Sequence, residues 1–277
     1  MTERRLTVAA ALAQARARGV ALLDARLLLG RLLGASPTWL IAHDETCLDT
    51  GVASHWAEDL ERRAGGEPLA YLLGQKEFRG LLLDVTPAVL IPRPETELLV
   101  DWADALLGGS ARRDVADLAT GCGAIALAVK QAHPQARVVA TDASPAALAV
   151  AQGNARRLSL LVEFIVASWW QGLEGRLFDL VLSNPPYVRE DDPALDALRH
   201  EPTAALTPGG DGLGALAAII GGAAAHLNAD GWLVLEHGFD QAEPVRELLR
   251  KAGFAAIETR RDLAGHARAA AGQRAVP

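Results

Sequence analysis

Asn184-Pro185-Pro186-Tyr187 is the segment whose residue types are hardest to explain by packing alone. It follows a short apolar run, Phe178-Asp179-Leu180-Val181-Leu182, that reads as a strand. Two consecutive prolines cannot continue a central strand, because each removes a ladder donor and fixes φ. They hold the backbone rigid, which suits a site that must place atoms closely. Asn184 offers an amide oxygen and the Pro185 carbonyl a second acceptor. Two acceptors aimed at one planar NH2 group hold it with its nitrogen lone pair facing outward. Tyr187, after Pro186, can lie against the plane of that group. The chemistry this suits is group transfer to a weakly nucleophilic nitrogen.

A second segment supplies a place for the donor. Asp117-Leu118-Ala119-Thr120-Gly121-Cys122-Gly123-Ala124 follows one strand and opens a helix. Glycines there allow a sharp turn and close approach of a ligand to the backbone. The loop lacks the dinucleotide pattern, since Ala126 stands where its third glycine would be, and it lacks the Gly-Lys-Ser/Thr of a phosphate loop. It therefore need not hold phosphate and can flank a nucleoside with an uncharged linker, such as S-adenosylmethionine. Asp142 closes Arg137-Val138-Val139-Ala140-Thr141, about 20 residues after Gly121, where an acid at a strand end can accept hydrogen bonds from ribose hydroxyls. The alternative is that Asp142 only caps the helix after Ser144-Pro145.

The elements that must position these residues alternate. Strands are expected at Val115–Leu118, Arg137–Thr141, Val162–Val166, Phe178–Leu182, Trp232–Leu235 and Ala255–Thr259. Helices are expected at Glu95–Leu107, after the glycine loop through Val129, and at Ala146–Asn154, Leu213–Leu227 and Gln241–Ala252. Such alternation predicts an α/β fold, a mostly parallel sheet with helices on both faces, and ligands at the carboxyl ends of its strands. Residues 1–74 read instead as a helical bundle, with a leucine-rich face from Leu22 to Leu33, a cap and first-turn proline at Ser36-Pro37, and an amphipathic helix through Val52, Trp56 and Leu60. Residues 75–92 read as a linking hairpin, and 93–277 as the alternating domain. Ala267 to Pro277 is alanine-rich and reads in part as a frayed tail. Arg93, Glu95 and Glu97 can orient the site or lock the domains together, although acids at a helix start are favoured there in any case.

Composition excludes several classes. The 277 residues are half hydrophobic with a net charge of −7, which rules out a fully disordered chain and argues against a protein that binds by neutralising phosphates. Two cysteines, Cys47 and Cys122, cannot build a disulfide framework, and no Cys-x-x-Cys pair suggests zinc; a reducing cytoplasmic setting fits. No apolar run spans a bilayer. Arg4-Arg5 before an alanine-rich stretch mimics a signal peptide, but Gln14, Arg16 and Arg18 follow at once, so an ordinary first helix is expected.

Taken together, the motifs resemble the bacterial peptide chain release factor glutamine methyltransferases, the PrmC or HemK family, over nearly the whole length. The resemblance is carried by Gly66-Glu67-Pro68-Leu69-Ala70-Tyr71-Leu72-Leu73-Gly74, Phe78-Arg79-Gly80, Leu90-Ile91-Pro92-Arg93-Pro94-Glu95-Thr96-Glu97, the glycine loop, Asp142, Asn184-Pro185-Pro186-Tyr187, Glu201-Pro202, Gly209-Gly210-Asp211-Gly212-Leu213 and Glu236-His237-Gly238. It implies a Rossmann-like class I methyltransferase sheet and methylation of the side-chain amide nitrogen of the glutamine in the Gly-Gly-Gln loop of release factors. By this likeness the donor S-adenosylmethionine falls on Ala119, Thr120, Gly121, Cys122, Gly123, Asp142, Trp169 and Asn184, with Trp169 stacking on adenine. The glutamine falls on Asn184, Pro185, Pro186 and Tyr187, of which Asn184, Pro185 and Tyr187 carry the chemistry. No metal, nucleic acid or membrane is implied. Two positions depart from the family pattern: Ala119 replaces a glycine, and Ser168 replaces the acid before the adenine tryptophan. Rival readings are a ribosomal-protein glutamine methyltransferase, a nucleic-acid adenine amino-methyltransferase, and a non-catalytic donor-binding module. The absence of a dense Lys/Arg run counts against the nucleic-acid reading, and the intact Asn184–Tyr187 segment against the last.

Overall fold

The computed structural model describes residues 6–108 and 113–275. Arg4, Arg5, Val276 and Pro277 lie outside the described residues. The chain divides into two units, Met1–Gln75 and Lys76–Pro277. Among the described residues, no helix is long and apolar enough to cross a membrane.

The first unit is helical: α1 (Val8–Ala17), α2 (Leu22–Leu33), α3 (Pro37–Ala42), α4 (Thr50–Ala64) and α5 (Leu69–Leu73). The starts of α1, α3 and α4 are set by capping oxygens that satisfy otherwise orphaned N–H groups. Thr7 accepts from the Ala10 N–H, Ser36 from Trp39 and Asp49 from Val52. The faces so aligned bury Leu28, Leu29, Leu40, Trp56 and Leu60 in one core. Buried Asp59 of α4 takes a hydrogen bond from Arg31 of α2 at 2.6 Å.

The second unit opens with a hairpin, β1 (Gln75–Phe78) and β2 (Leu81–Asp84), then a 3-10 turn, Pro94–Thr96, leading into α6 (Glu97–Leu107). Its sheet contains β3 (Asp114–Leu118), β4 (Arg137–Asp142), β5 (Glu163–Val166), β6 (Phe178–Ser183), β7 (Leu227–Glu236), β8 (Phe254–Arg261) and β9 (Ala267–Arg274). The order is β5-β4-β3-β6-β7-β9-β8. The first five of these are parallel neighbours, and β9 runs antiparallel to both β7 and β8. The order reverses between β3 and β6, which opens a crevice at their carboxyl ends. The connecting helices are α7 (Ala124–Ala132), α8 (Pro145–Leu158), α9 (Ala194–Ala197), α10 (Thr203–Leu206), α11 (Gly214–Ala223) and α12 (Ala242–Lys251).

Two sequence expectations need correction. The alanine-rich stretch from Ala267 is no frayed tail through its described length: it is β9, inside the sheet, with Ala269, Ala270 and Ala271 wholly buried. Alanines carry little strand propensity, but here the flanking strands supply the pairing and short side chains fit between the covering layers. The helix expected over Leu213–Leu227 stops at Ala223, and Leu227 instead opens β7 opposite Phe178. Leu227 is apolar in either setting, so periodicity could not place the boundary.

The hairpin is tied to the glycine loop by one fully buried side chain. Asn154 of α8 accepts from the Asp84 N–H at 2.7 Å and donates to the carbonyls of Asp84 and Cys122, each at 3.0 Å. Replacing it with alanine orphans these backbone groups, so Asn154→Ala should cost about 2–3 kcal/mol in urea unfolding. A loss below about 0.5 kcal/mol, the scale of a surface change, would show that the clamp contributes little.

Candidate active site

The loop after β3 turns on a residue that pays a steric cost. Ala119 sits at φ +58, a left-handed conformation that disfavours any residue with a Cβ. Gly121 follows at φ +57 and Gly123 at φ +89. At Gly123, which starts α7, a Cβ would stand 3.0 Å from Leu127 Cδ1 and 3.2 Å from Ala151 Cβ, so glycine is required for conformation and space together. Below the loop lies Asp117, fully buried. Its Oδ2 accepts from Thr120 Oγ1 at 2.6 Å and from the Ala126 N–H at 3.1 Å, and burial pushes its pKa up to about 7.

Asp142 ends β4 facing this loop. Its Oδ2 accepts from the Gly121 N–H and its Oδ1 from the Ser144 N–H, both at 2.9 Å. Burial raises its pKa against those two hydrogen bonds. The capping residue of α8 is Ser144, which accepts from the Ala147 N–H. Capping therefore does not explain Asp142, and each carboxylate oxygen keeps a lone pair for a ligand.

The loops after β3, β4 and β6 converge on a cavity of about 670 Å³. Of the sequence-expected residues, Ala119, Thr120, Gly121, Cys122, Asp142, Trp169, Asn184 and Pro186 line it. Gly123, Pro185 and Tyr187 are their chain neighbours and are not among the lining residues. Packing separates the two adjacent tryptophans: Trp170 stacks on His226 and donates to the Ile219 carbonyl, while Trp169, at φ +52, lines the cavity. Cys122 is no nucleophile, because burial pushes its thiol up to about 12.

Tyr187 departs from its expected place. Its hydroxyl donates to Glu236 Oε1 at 2.9 Å instead of reaching the cavity, and burial beside that carboxylate raises its pKa. Its carbonyl accepts from Gln241 Nε2 at 3.0 Å. Gly212 passes so close that a Cβ there would lie 2.3 Å from the Tyr187 oxygen, which explains the glycine at that position. Asn184 donates through Nδ2 to Thr96 Oγ1 at 3.0 Å, leaving Oδ1 as its free end. Among the described residues, no backbone hydrogen bond ends on the Pro185 carbonyl.

Sequence reasoning missed the opposite wall. Leu90 and Pro92 line it from one segment, and Pro202, Ala205 and Pro208 from another. Glu201 joins the two: buried, it accepts from the Ile91 N–H at 3.0 Å and from the Arg93 guanidinium. Arg93 thus has a partner within this unit. Glu97 takes the first turn of α6, as its charge favours. The pairing of Arg93 with Glu201 was hidden because more than a hundred residues separate them.

The lining fits a nucleoside with an uncharged linker. It contains no Lys, Arg or His to balance phosphates, one carboxylate at Asp142, a broad indole at Trp169, and small residues such as Ala143 and Ala147 that leave room for a flat group. Among the described residues, no cluster of His, Cys, Asp and Glu could hold a metal ion.

Comparison with known proteins agrees with this geometry. The model of the Methyltransferase small domain matches residues 94–259, and that of the PrmC N-terminal domain matches 6–74. A release factor glutamine methyltransferase of Bordetella pertussis is 49% identical, covering 92% of this chain and 95% of its own. One from Burkholderia pseudomallei is 47% identical, covering 91% of each. A crystal structure of a methyltransferase from Pyrococcus furiosus shares the fold with a TM-score of 0.53, at 16% identity over 71% of this chain and 90% of that one. The chain belongs to the release factor glutamine methyltransferase family.

The left-handed Ala119 makes a stability prediction. Ala119→Gly should raise the unfolding free energy by about 1 kcal/mol, because relief of the Cβ clash outweighs the added freedom of the unfolded chain. Denaturant titration of the two proteins checks this, and a destabilised variant would mean that the alanine is not strained.

Proposed function

We propose that this chain transfers a methyl group from S-adenosylmethionine to the side-chain amide nitrogen of the glutamine in the Gly-Gly-Gln loop of peptide chain release factors. The observation that carries this is the polarity of Asn184. With Nδ2 held by Thr96, its oxygen is the end left to meet a substrate N–H, in the same cavity as Asp142 and Trp169. The relatives' shared activity supplies the substrate.

Bound there, S-adenosylmethionine supplies a methyl group on a positively charged sulfur, an electrophile strong enough for a weak nucleophile. Asp142 accepts hydrogen bonds from the ribose, Trp169 stacks on the adenine, and residues 119–123 close around the remainder of the donor. Asn184 Oδ1 and the Pro185 carbonyl accept the two hydrogens of the glutamine amide. That grip favours a nitrogen lone pair localised toward the methyl. Pro186 helps wall the pocket, and Tyr187 holds the segment in place through Glu236. As the nitrogen bonds to the methyl carbon and the carbon–sulfur bond breaks to leave a neutral thioether, positive charge passes to the nitrogen and both acceptors bind more strongly. Fixing the partners in line can supply roughly 7–11 kcal/mol. The extra proton leaves after transfer, so the step calls for neither a strong base nor a metal. The helical first unit reads the protein substrate. The acidic chain needs no nucleic acid or membrane partner, and its free cysteines suit a reducing cytoplasm.

Labelled donor mixed with a purified release factor should label it, and the same factor with its loop glutamine changed to alanine should stay unlabelled. Label on neither, with donor binding intact, would overturn the substrate assignment. Asn184→Ala should lower turnover about 10²–10³-fold; near-normal turnover would remove Asn184 from its role.

A further inference from the structure

Asn154 is the polar member of an otherwise apolar stripe. The buried residues of α8 are Ala147, Leu148, Ala151, Asn154 and Ala155, a helical spacing that calls for apolar side chains throughout. A buried amide costs free energy unless its polar groups find partners. Here all of them do. Oδ1 accepts from the Asp84 N–H at 2.7 Å and from the Arg157 guanidinium at 3.0 Å. Nδ2 donates to the carbonyls of Asp84 and Cys122, each at 3.0 Å. A backbone N–H can only donate and a backbone carbonyl only accept, so the two ends of this amide cannot be exchanged. No hydrogen-bonding capacity is left over for a ligand. The side chain acts by holding what it bonds.

The two segments it holds lead to different walls of the cavity. Cys122 lines it from the glycine loop. β2 ends at Asp84, and the chain continues from there into Ala88, Val89, Leu90 and Pro92, which line it from the other side. The front of the glycine loop is fixed by β4: the Thr120 N–H donates to the Thr141 carbonyl and the Gly121 N–H to Asp142, both at 2.9 Å. The back of the loop rests on α8, through Asn154 at Cys122 and through Ala151, whose Cβ stands 3.2 Å from where a Cβ on Gly123 would lie. We infer that Asn154 is a positioning residue for the methyl donor: by joining Cys122 to Asp84 it sets the spacing of two walls of the cavity before S-adenosylmethionine enters. Walls held ready in this way spare the donor the cost of ordering them. The inference rests on the donor half of the proposed function and is independent of which protein is methylated.

The test is titration calorimetry of S-adenosylmethionine into the full-length chain, with no acceptor present. Asn154→Ala should weaken the donor Kd about tenfold. Asn154→Asp keeps an oxygen for the Asp84 N–H but sets the other against two carbonyls, and should weaken it at least as much. Leu249→Ala separates positioning from a general loss of stability. It opens the core under α12, which packs on β8 and β9 at the far edge of the sheet, and should destabilise the fold while leaving the donor Kd unchanged. Asp142→Ala should lose donor binding and so mark the donor in this cavity. Hydrogen exchange supplies a readout on the wild type alone. Donor binding and the Asn154 contacts favour each other by one factor. Saturating donor should therefore slow exchange of the Asp84 N–H more than that of the Asp262 N–H, which is bonded to the His266 carbonyl between β8 and β9.

A folded Asn154→Ala that binds donor as tightly as the wild type would overturn the inference. Should that variant not fold, equal donor protection of the Asp84 and Asp262 amides would overturn it instead. A donor indifferent to both Asp142→Ala and Asn154→Ala would sink its placement in this cavity and the inference together; one indifferent to Asn154→Ala alone sinks only the inference. A wild type with the expected dependence on Asn154 that methylates no release factor would sink the substrate assignment and support the positioning role.

Discussion

The pairing of β3 with β6 is the constraint from which the site follows. Val115 to Leu118 lie beside Leu180 to Ser183 in parallel, so the two strands end together. At that end Ser183 Oγ donates to the Leu118 carbonyl at 2.7 Å, both atoms buried. One chain leaves this point as the glycine loop and the other as Asn184-Pro185-Pro186. Because the strand order reverses here, no crossover covers the gap, and donor loop and acceptor segment face each other across it. A slip of one residue in this pair would turn the slipped strand's side chains to the opposite face of the sheet.

Three buried carboxylates surround the gap, and each has a different task. Asp117 holds the glycine loop through Thr120 and the start of α7. Glu201 joins segments distant in sequence into the opposite wall. Glu236 anchors Tyr187, accepting from its hydroxyl. Burying a carboxylate costs several kcal/mol unless its lone pairs find donors. Asp117 Oδ1 and Glu236 Oε2 have no protein donor, but the other carboxylate oxygens meet fixed N–H or O–H groups or, at Glu201, an arginine. Such groups cannot rearrange without leaving a charge unpaired, so they hold the cavity wall to one geometry.

How much of this was legible in the sequence depended on distance along the chain. The strands, the glycine loop, Asp142 and Asn184 all announce themselves within short windows, where backbone chemistry and local spacing suffice. Glu201 with Arg93, Asn154 with Asp84 and Glu236 with Tyr187 do not, because the partners meet only when the sheet has formed. β9 was misread for another reason. Ala269, Ala270 and Ala271 lack the bulk that produces an alternating pattern, and the space they fill exists only between finished strands. The different settings of Trp169 and Trp170 also appear only in packing, since neighbouring indoles are equivalent until one of them is held by His226 and Ile219.

The two halves of the cavity are held by different physical means, and this bears on what each can select. On the donor side, Ala119 and Trp169 both carry a Cβ in a left-handed backbone conformation. Such strain costs of order 1–3 kcal/mol per residue and persists only where surrounding packing over-determines it. That side therefore selects by shape: a ligand must match a contour that the chain adopts against its own preference. On the acceptor side, Asn184 is held by a hydrogen bond with a direction, its Nδ2 donating to Thr96 Oγ1. A site of that kind rejects a group lacking the matching hydrogens far more strongly than one differing slightly in size. Selection by shape suits a donor that is the same in every turnover. Selection by hydrogen-bond polarity suits the choice of one amide among the many side chains on a protein surface.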